Sequence, residues 1–112
     1  METKRGGAQD PRVGFPKLTA HSTSKGGVFA LMRAGAADYG PDGVRVNAIV
    51  PGTIDTPMNA TTVSTPENRA RFAALAPLGR AGTPDDLAGI AVYLASDEFA
   101  YCTGGVFTVD GG

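Results

Sequence analysis

The spacing of apolar residues first becomes regular at residue 22. From there to residue 39 they recur every three or four positions, which predicts a helix. Val28, Leu31, Met32 and Tyr39 fall near one stripe of it. Gly27, Ala30, Ala34 and Ala37 form a second, small face that a helix or sheet can approach closely. Gly40, Pro41, Asp42 and Gly43 then stop the helix and turn the chain. Segment 44–50, VRVNAIV, is β-branched and mostly apolar, which predicts a strand buried on both faces of a parallel sheet. PGTIDTPMN, residues 51–59, follows as a loop at the carboxyl end of that strand, where open α/β sheets bind ligands.

Further along, 66–76 reads as a short helix, with Pro66 near its first position and Glu67 in its first turn. A sharper start lies at Thr83, which can cap. Pro84 follows, and Asp85 and Asp86 face the positive end of a helix over 84–95. Leu87, Ile90, Ala91 and Leu94 make its apolar stripe. Residues 106–109 read as a last strand. Residues 1–18 show no clean period and carry three glycines and two prolines, so they are expected to form an irregular arm. The predicted order is arm–α–β–α–α–β. Parallel strands occur almost only inside larger sheets covered on both faces, so two of them predict further sequence or a partner chain.

Composition narrows the function classes. The 112 residues suit one domain, and the formal net charge of −1 gives no electrostatic case for nucleic acid or an anionic membrane. The single cysteine, Cys102, excludes an intrachain disulfide, and with no histidine or cysteine near it in sequence it is a poor metal ligand. It reads as a small apolar residue, buried or partly so. The opening residues are charged and glycine-rich, unlike a signal peptide, and no apolar run reaches the ~20 residues that span a bilayer. The expected setting is cytoplasmic.

Four stretches carry a resemblance: HSTSKGGVFALMR, GVRVNAIVPGTIDTPM, PLGRAGTPDDLAGIAVYLASDE and TGGVFTVDGG. In order and spacing they resemble the C-terminal half of the short-chain dehydrogenase/reductase family, near the 3-oxoacyl-carrier-protein reductases. The resemblance runs from about residue 16 to 112, and residues 19–112 are expected to be half of such a domain. It implies an α/β, Rossmann-like doubly wound parallel sheet that binds NAD or NADP and transfers hydride between a carbonyl and an alcohol. In the family a Tyr-x-x-x-Lys pair opens the helix. Lys25 matches the lysine, which bonds the nicotinamide ribose, and His21 stands at the tyrosine position. Pro51 and Gly52 match the turn after the strand, Ile54 the residue whose backbone meets the carboxamide, and Thr56 a hydroxyl contact. Met58 would face the substrate.

The departures are as informative. Ala8 stands thirteen residues before His21, in the region where the family has its catalytic serine, and no serine precedes Ser22. No Gly-x-x-x-Gly-x-Gly phosphate loop occurs anywhere, so the resemblance leaves these residues without the pyrophosphate site. A cation one helical turn away favours a neutral His21, a fair base and a poor acid, which suits alcohol oxidation. Its ring is shorter than a phenol, and a misplacement of about 1 Å costs ~100-fold in rate. The plainer reading makes His21 non-catalytic and Lys25 a solvated cation. Thr56 then bonds backbone, Asp85 and Asp86 serve the helix start, and Arg80 is a surface arginine. Three functions follow: a truncated oxidoreductase segment inactive by itself, an assembly or regulatory subunit, or half of a split enzyme. The implied partners are a second copy in a homodimer, a full-length relative, or the missing N-terminal half.

Overall fold

A computed structural model describes residues 17–112; the expected arm and Ala8 lie outside them, except for Lys17 and Leu18. Helix α1 spans Thr19–Tyr39 and starts without a side-chain cap. Hydroxyls of its second turn bond back to the helix instead: Thr23 Oγ1 donates to the Thr19 carbonyl at 2.8 Å, and Ser24 Oγ to that of His21 at 2.7 Å. The predicted stop is present. Gly40–Asp42 form a 3-10 turn, and Gly43 closes it at φ 77°, a conformation that favours glycine.

The packed face of α1 differs from the predicted one. Met32 is buried, but Val28, Leu31 and Tyr39 are more than half exposed, and the small face of Gly27, Ala30, Ala34 and Ala37 is exposed too. The inward stripe is His21, Lys25, Phe29, Met32 and Ala36. The 4-4-3-4 spacing of these residues follows the helix period more closely than the predicted set does. The contacts agree: Gly35 lies against Val46 and Ala36 against Gly104.

Strand β1 is Ala48–Pro51 and β2 is Val106–Val109; they pair in parallel, with Ala48 opposite Val106 and Pro51 opposite Val109. The expected seven-residue strand is thus four residues long. Arg45, Val46 and Asn47 are tied up by side chains. Arg45 donates to the Leu94 and Ser96 carbonyls at the end of the helix over 85–95, and the Val46 N–H donates to Thr103 Oγ1. Asn47 Nδ2 donates to the Cys102 carbonyl at 2.9 Å, and its Oδ1 accepts the Gly105 N–H at 3.0 Å. Burial on both faces is also corrected: Val50 is buried, but its strand neighbours are half-buried and Thr108 is exposed. The half-buried Cys102 lies 3.6 Å from Asn47 Oδ1.

Between the strands the loop expected at 51–59 is partly helical. Pro57–Asn59 form a 3-10 turn that runs into helix α2, Ala60–Val63. Helix α3, Pro66–Ala73, starts as predicted and is capped by Thr65 Oγ1, which accepts the Asn68 N–H. Helix α4 is Asp85–Ala95. The Thr83 carbonyl accepts the Asp86 N–H at 3.0 Å, but its hydroxyl does not cap the helix by accepting a bond. Thr83 donates its N–H and hydroxyl to the Asp86 carboxylate at 2.7 and 3.1 Å. The described order is therefore α–β–α–α–α–β.

Alternate residues of β1 and of the segment leading into it face opposite ways. Val46 meets α1, whereas Arg45, Asn47 and Ile49 line a depression of about 400 Å³ against Ala91, Leu94 and Ala95 of α4. The sheet thus lies between α1 and α4. Edge-on rings of Tyr93, Phe99 and Phe107, with centroids 4.4 and 5.4 Å apart, join α4 to β2. No further strand pairs with β1 among the described residues. No described helix is long and apolar enough to cross a membrane.

Candidate functional site

The carboxyl end of β1 continues into the turn that holds Pro51, Gly52, Ile54 and Thr56. The Gly52 N–H donates to the Val109 carbonyl at 3.0 Å. A Cβ on Gly52 would stand 2.7 Å from Asp110 Cα, so only glycine fits between the two strand ends. Beyond it the chain forms one more parallel bridge. Gly82 N–H donates to the Thr53 carbonyl at 2.9 Å, and Asp55 N–H donates to the Gly82 carbonyl at 2.8 Å. In a parallel bridge the residue between those two points its N–H and C=O the other way. That residue is Ile54. Its carbonyl accepts Asn59 Nδ2 at 2.9 Å, and its N–H has no partner among the described residues. The Ile54 side chain is buried, and the Thr56 carbonyl accepts the Asn59 N–H at 2.9 Å. Met58, the expected substrate-facing residue, is almost fully exposed.

His21 and Lys25 share the inward face of α1, as their spacing predicts. His21 Nε2 is shut off from solvent and has no hydrogen-bond partner among the described residues. Lys25 is half-buried, and its ammonium makes no ion pair among the described residues. From the contact between Gly35 and Val46, α1 rises ~15 Å to Lys25. From the same contact β1 and its turn run ~20 Å to Gly52. The start of α1 and the turn after β1 therefore lie at the same end of the unit. No hydrogen bond or ion pair joins the two groups of residues directly.

The turn leans on a second layer of polar residues. Arg80 grips Asp86 with both nitrogens, at 2.7 and 2.8 Å. The bonds from Arg80 and from the Thr83 N–H hold the Asp86 carboxyl well below the usual carboxylate range, and Asp86 raises the Arg80 guanidinium in turn. Arg80 and Asp86 border a cavity of about 110 Å³ beside Thr53, Ile54 and Asp110. Ligand sites for drug-sized molecules occupy ~300–1,000 Å³, so this space by itself is too small for a dinucleotide. Among the described residues no group of three or more His, Cys, Asp or Glu side chains stands ready for a metal ion.

Asn47, Asn59, Arg69, Gly82 and Asp110 are the residues that sequence reasoning missed. Asn47 left a signal, a polar residue inside an apolar strand run. The partners of the other four are set by the fold alone.

Comparison with known proteins places this geometry. The family model described as enoyl-(acyl carrier protein) reductase matches residues 9–112. The L-rhamnose 1-dehydrogenase (NAD(P)(+)) of Azotobacter vinelandii is 47% identical over 100 residues, which cover 89% of this chain and 39% of that protein. The inactive 2-(S)-hydroxypropyl-CoM dehydrogenase 2 of Xanthobacter autotrophicus is 41% identical over 121 residues, 100% of this chain and 53% of that one. The solved structure of a 4-hydroxyisoleucine dehydrogenase complexed with NADH superposes at a TM-score of 0.87 with 28% identity, over 96% of this chain and 44% of that one. The chain thus spans about two fifths to one half of the length of these relatives, and its α/β fold is the matching part of their Rossmann-like fold.

Proposed function

We propose a function for this chain from one premise: it belongs to the short-chain dehydrogenase/reductase family. It supplies the nicotinamide-side wall of an NAD(P)-dependent oxidoreductase site. The pyrophosphate side is supplied by sequence other than these residues, which contain no glycine-rich phosphate loop. The observation that carries this reading is the Ile54 N–H, unpaired among the described residues in a turn whose neighbouring backbone groups are bonded. A buried or half-buried donor of that kind suits an amide oxygen of a ligand.

In this reading Ile54 N–H donates to the nicotinamide carboxamide, and Pro51 and Gly52 shape the turn that presents it. Thr56 offers its hydroxyl to the same amide or to a phosphate. Lys25, free of any described ion pair, bonds the ribose hydroxyls. The bound cofactor supplies hydride exchange with an alcohol or carbonyl carbon. His21 stands where the family holds tyrosine, and its Nε2, without a partner among the described residues, takes the proton of an alcohol. The 112 residues alone are inactive. Assays of the purified chain with NADH or NADPH and a panel of ketones are expected to show no turnover, for wild type and for His21→Tyr alike. Turnover by either protein alone would contradict the assignment of the pyrophosphate side to other sequence.

The second reading is an assembly or regulatory role, and surface exposure favours it. The buried apolar side chains among the described residues are Met32, Val50, Ile54 and Val63, whereas Leu31, Leu75, Leu78 and Val92 are about 70% exposed. A two-stranded parallel sheet with so thin a core is stabilised by covering its faces. The partner is a second copy, a full-length relative, or a separate chain carrying the phosphate loop. A monodisperse monomer by light scattering, with no change on adding a full-length relative, would argue against it.

A further inference from the structure

We propose that Arg69 is a positioning residue: from α3 it fastens both ends of segment 55–63 and so sets the backbone of Ile54 and Thr56. The proposal rests on the reading of that turn as the nicotinamide-side wall. Arg69 Nε donates to the Val63 carbonyl at 2.8 Å, and Nη2 lies 3.6 Å from Asp55 Oδ2. Asp55 sits between the two residues in question. Val63 is the last residue of α2, a four-residue helix whose carbonyls have no following turn to accept from, and its side chain is 1% exposed. The far end of the segment is therefore anchored twice, by a buried side chain and by the guanidinium. Asn59 ties the middle, through Nδ2 to the Ile54 carbonyl and through its N–H to that of Thr56.

The geometry explains why arginine is needed. Its planar fork presents Nε and Nη donors in fixed, divergent directions, so one side chain reaches a carbonyl and a carboxylate together. A lysine has a single nitrogen on a flexible stem and holds one of the two. The contacts differ in weight. The ion pair is 3.6 Å long, with side chains 63% and 48% exposed, so solvent screens most of it. The Nε–carbonyl bond is short and charge-assisted, and carries most of the effect.

Amide hydrogen exchange on the full chain tests this directly. Arg69→Met is expected to speed exchange across residues 54–63 by ~10-fold, the effect of losing one bond to a charged group. Amides of β1 and α4 keep their rates. Arg69→Lys falls between wild type and Arg69→Met, because its one nitrogen holds one of the two partners, and Asp55→Asn stays within ~2-fold of wild type. Nicotinamide mononucleotide is expected to bind Arg69→Met ~10-fold more weakly than wild type. Unchanged exchange over 54–63 in Arg69→Met overturns the proposal, and so does a uniform rise over the whole chain, which marks a general loss of stability. Equal binding of the mononucleotide to wild type and Arg69→Met also overturns it. If wild type does not bind the mononucleotide, the reading of the turn fails, and exchange alone decides the role of Arg69.

Discussion

The turn after β1 and the first turns of α1 lie at the same end of the unit, yet the chain satisfies their polar groups very differently. Around the turn, Gly52, Thr53, Asp55 and Thr56 all bond to backbone or to Asn59. Asn47 pins the other end of the strand to the loop before β2. At the start of α1 there is no side-chain cap, His21 Nε2 has no partner, and Lys25 forms no described ion pair. The first region is satisfied by its own sequence except at the Ile54 N–H, which has no partner among the described residues. The second holds a nitrogen, His21 Nε2, whose desolvation is uncompensated among the described residues, the condition in which a ligand or a partner adds most.

Mutations that strike the turn should break the fold, and those at the helix start should not. Gly52→Ala is expected to be the most damaging, because its Cβ meets the Asp110 backbone, which cannot swing aside as a side chain does. A loss of about 3 kcal/mol in urea unfolding is expected, as for an overpacked core. Next is Asn47→Ala, which strands the Gly105 N–H and the Cys102 carbonyl. The same measurement should give about 2–3 kcal/mol for two lost bonds.

A smaller effect is set by pH. The folded state holds the Asp86 carboxyl below its ordinary value of 3.8, so folding stabilises the charged form. The gap in urea midpoint between wild type and Asp86→Asn should be full above about pH 5. It should shrink as the pH falls through and below 3.8, because protonation then removes the same bonds from wild type. A gap independent of pH between 2 and 7 would mean that Arg80 and Thr83 do not hold the charged carboxylate. Smallest of all is His21→Phe. Removing an unpartnered nitrogen while keeping a ring should leave stability unchanged or raise it by up to ~0.5 kcal/mol. A clear loss would show that the imidazole has a partner and would remove the contrast.

Much of the frame was legible because its signals are local. Gly43 and Pro66 mark boundaries through fixed backbone preferences, and the β-branched run of 44–50 marks a strand. The i, i+4 spacing of His21 and Lys25 is enough to put them on one helix face. What escaped depends on contacts distant in sequence. β1 is short because Arg45 and Asn47 turn to residues some fifty positions away. The inward face of α1 was misread because its apolar residues do not all face the sheet: Leu31 is larger than Ala36, yet Ala36 is the one against Gly104. Arg69 was one arginine in a polar helix, and nothing in its neighbours tells that it reaches Val63 and Asp55.

The central claim is that this chain carries the nicotinamide side of the site and not the pyrophosphate side. A titration followed by backbone amide resonances tests it most directly, with nicotinamide mononucleotide and ADP-ribose compared at matched millimolar concentrations. The account predicts that the mononucleotide shifts the amides of Ile54 and Thr56 while ADP-ribose leaves them in place. ADP-ribose shifting them as strongly, or neither ligand shifting them, would contradict it.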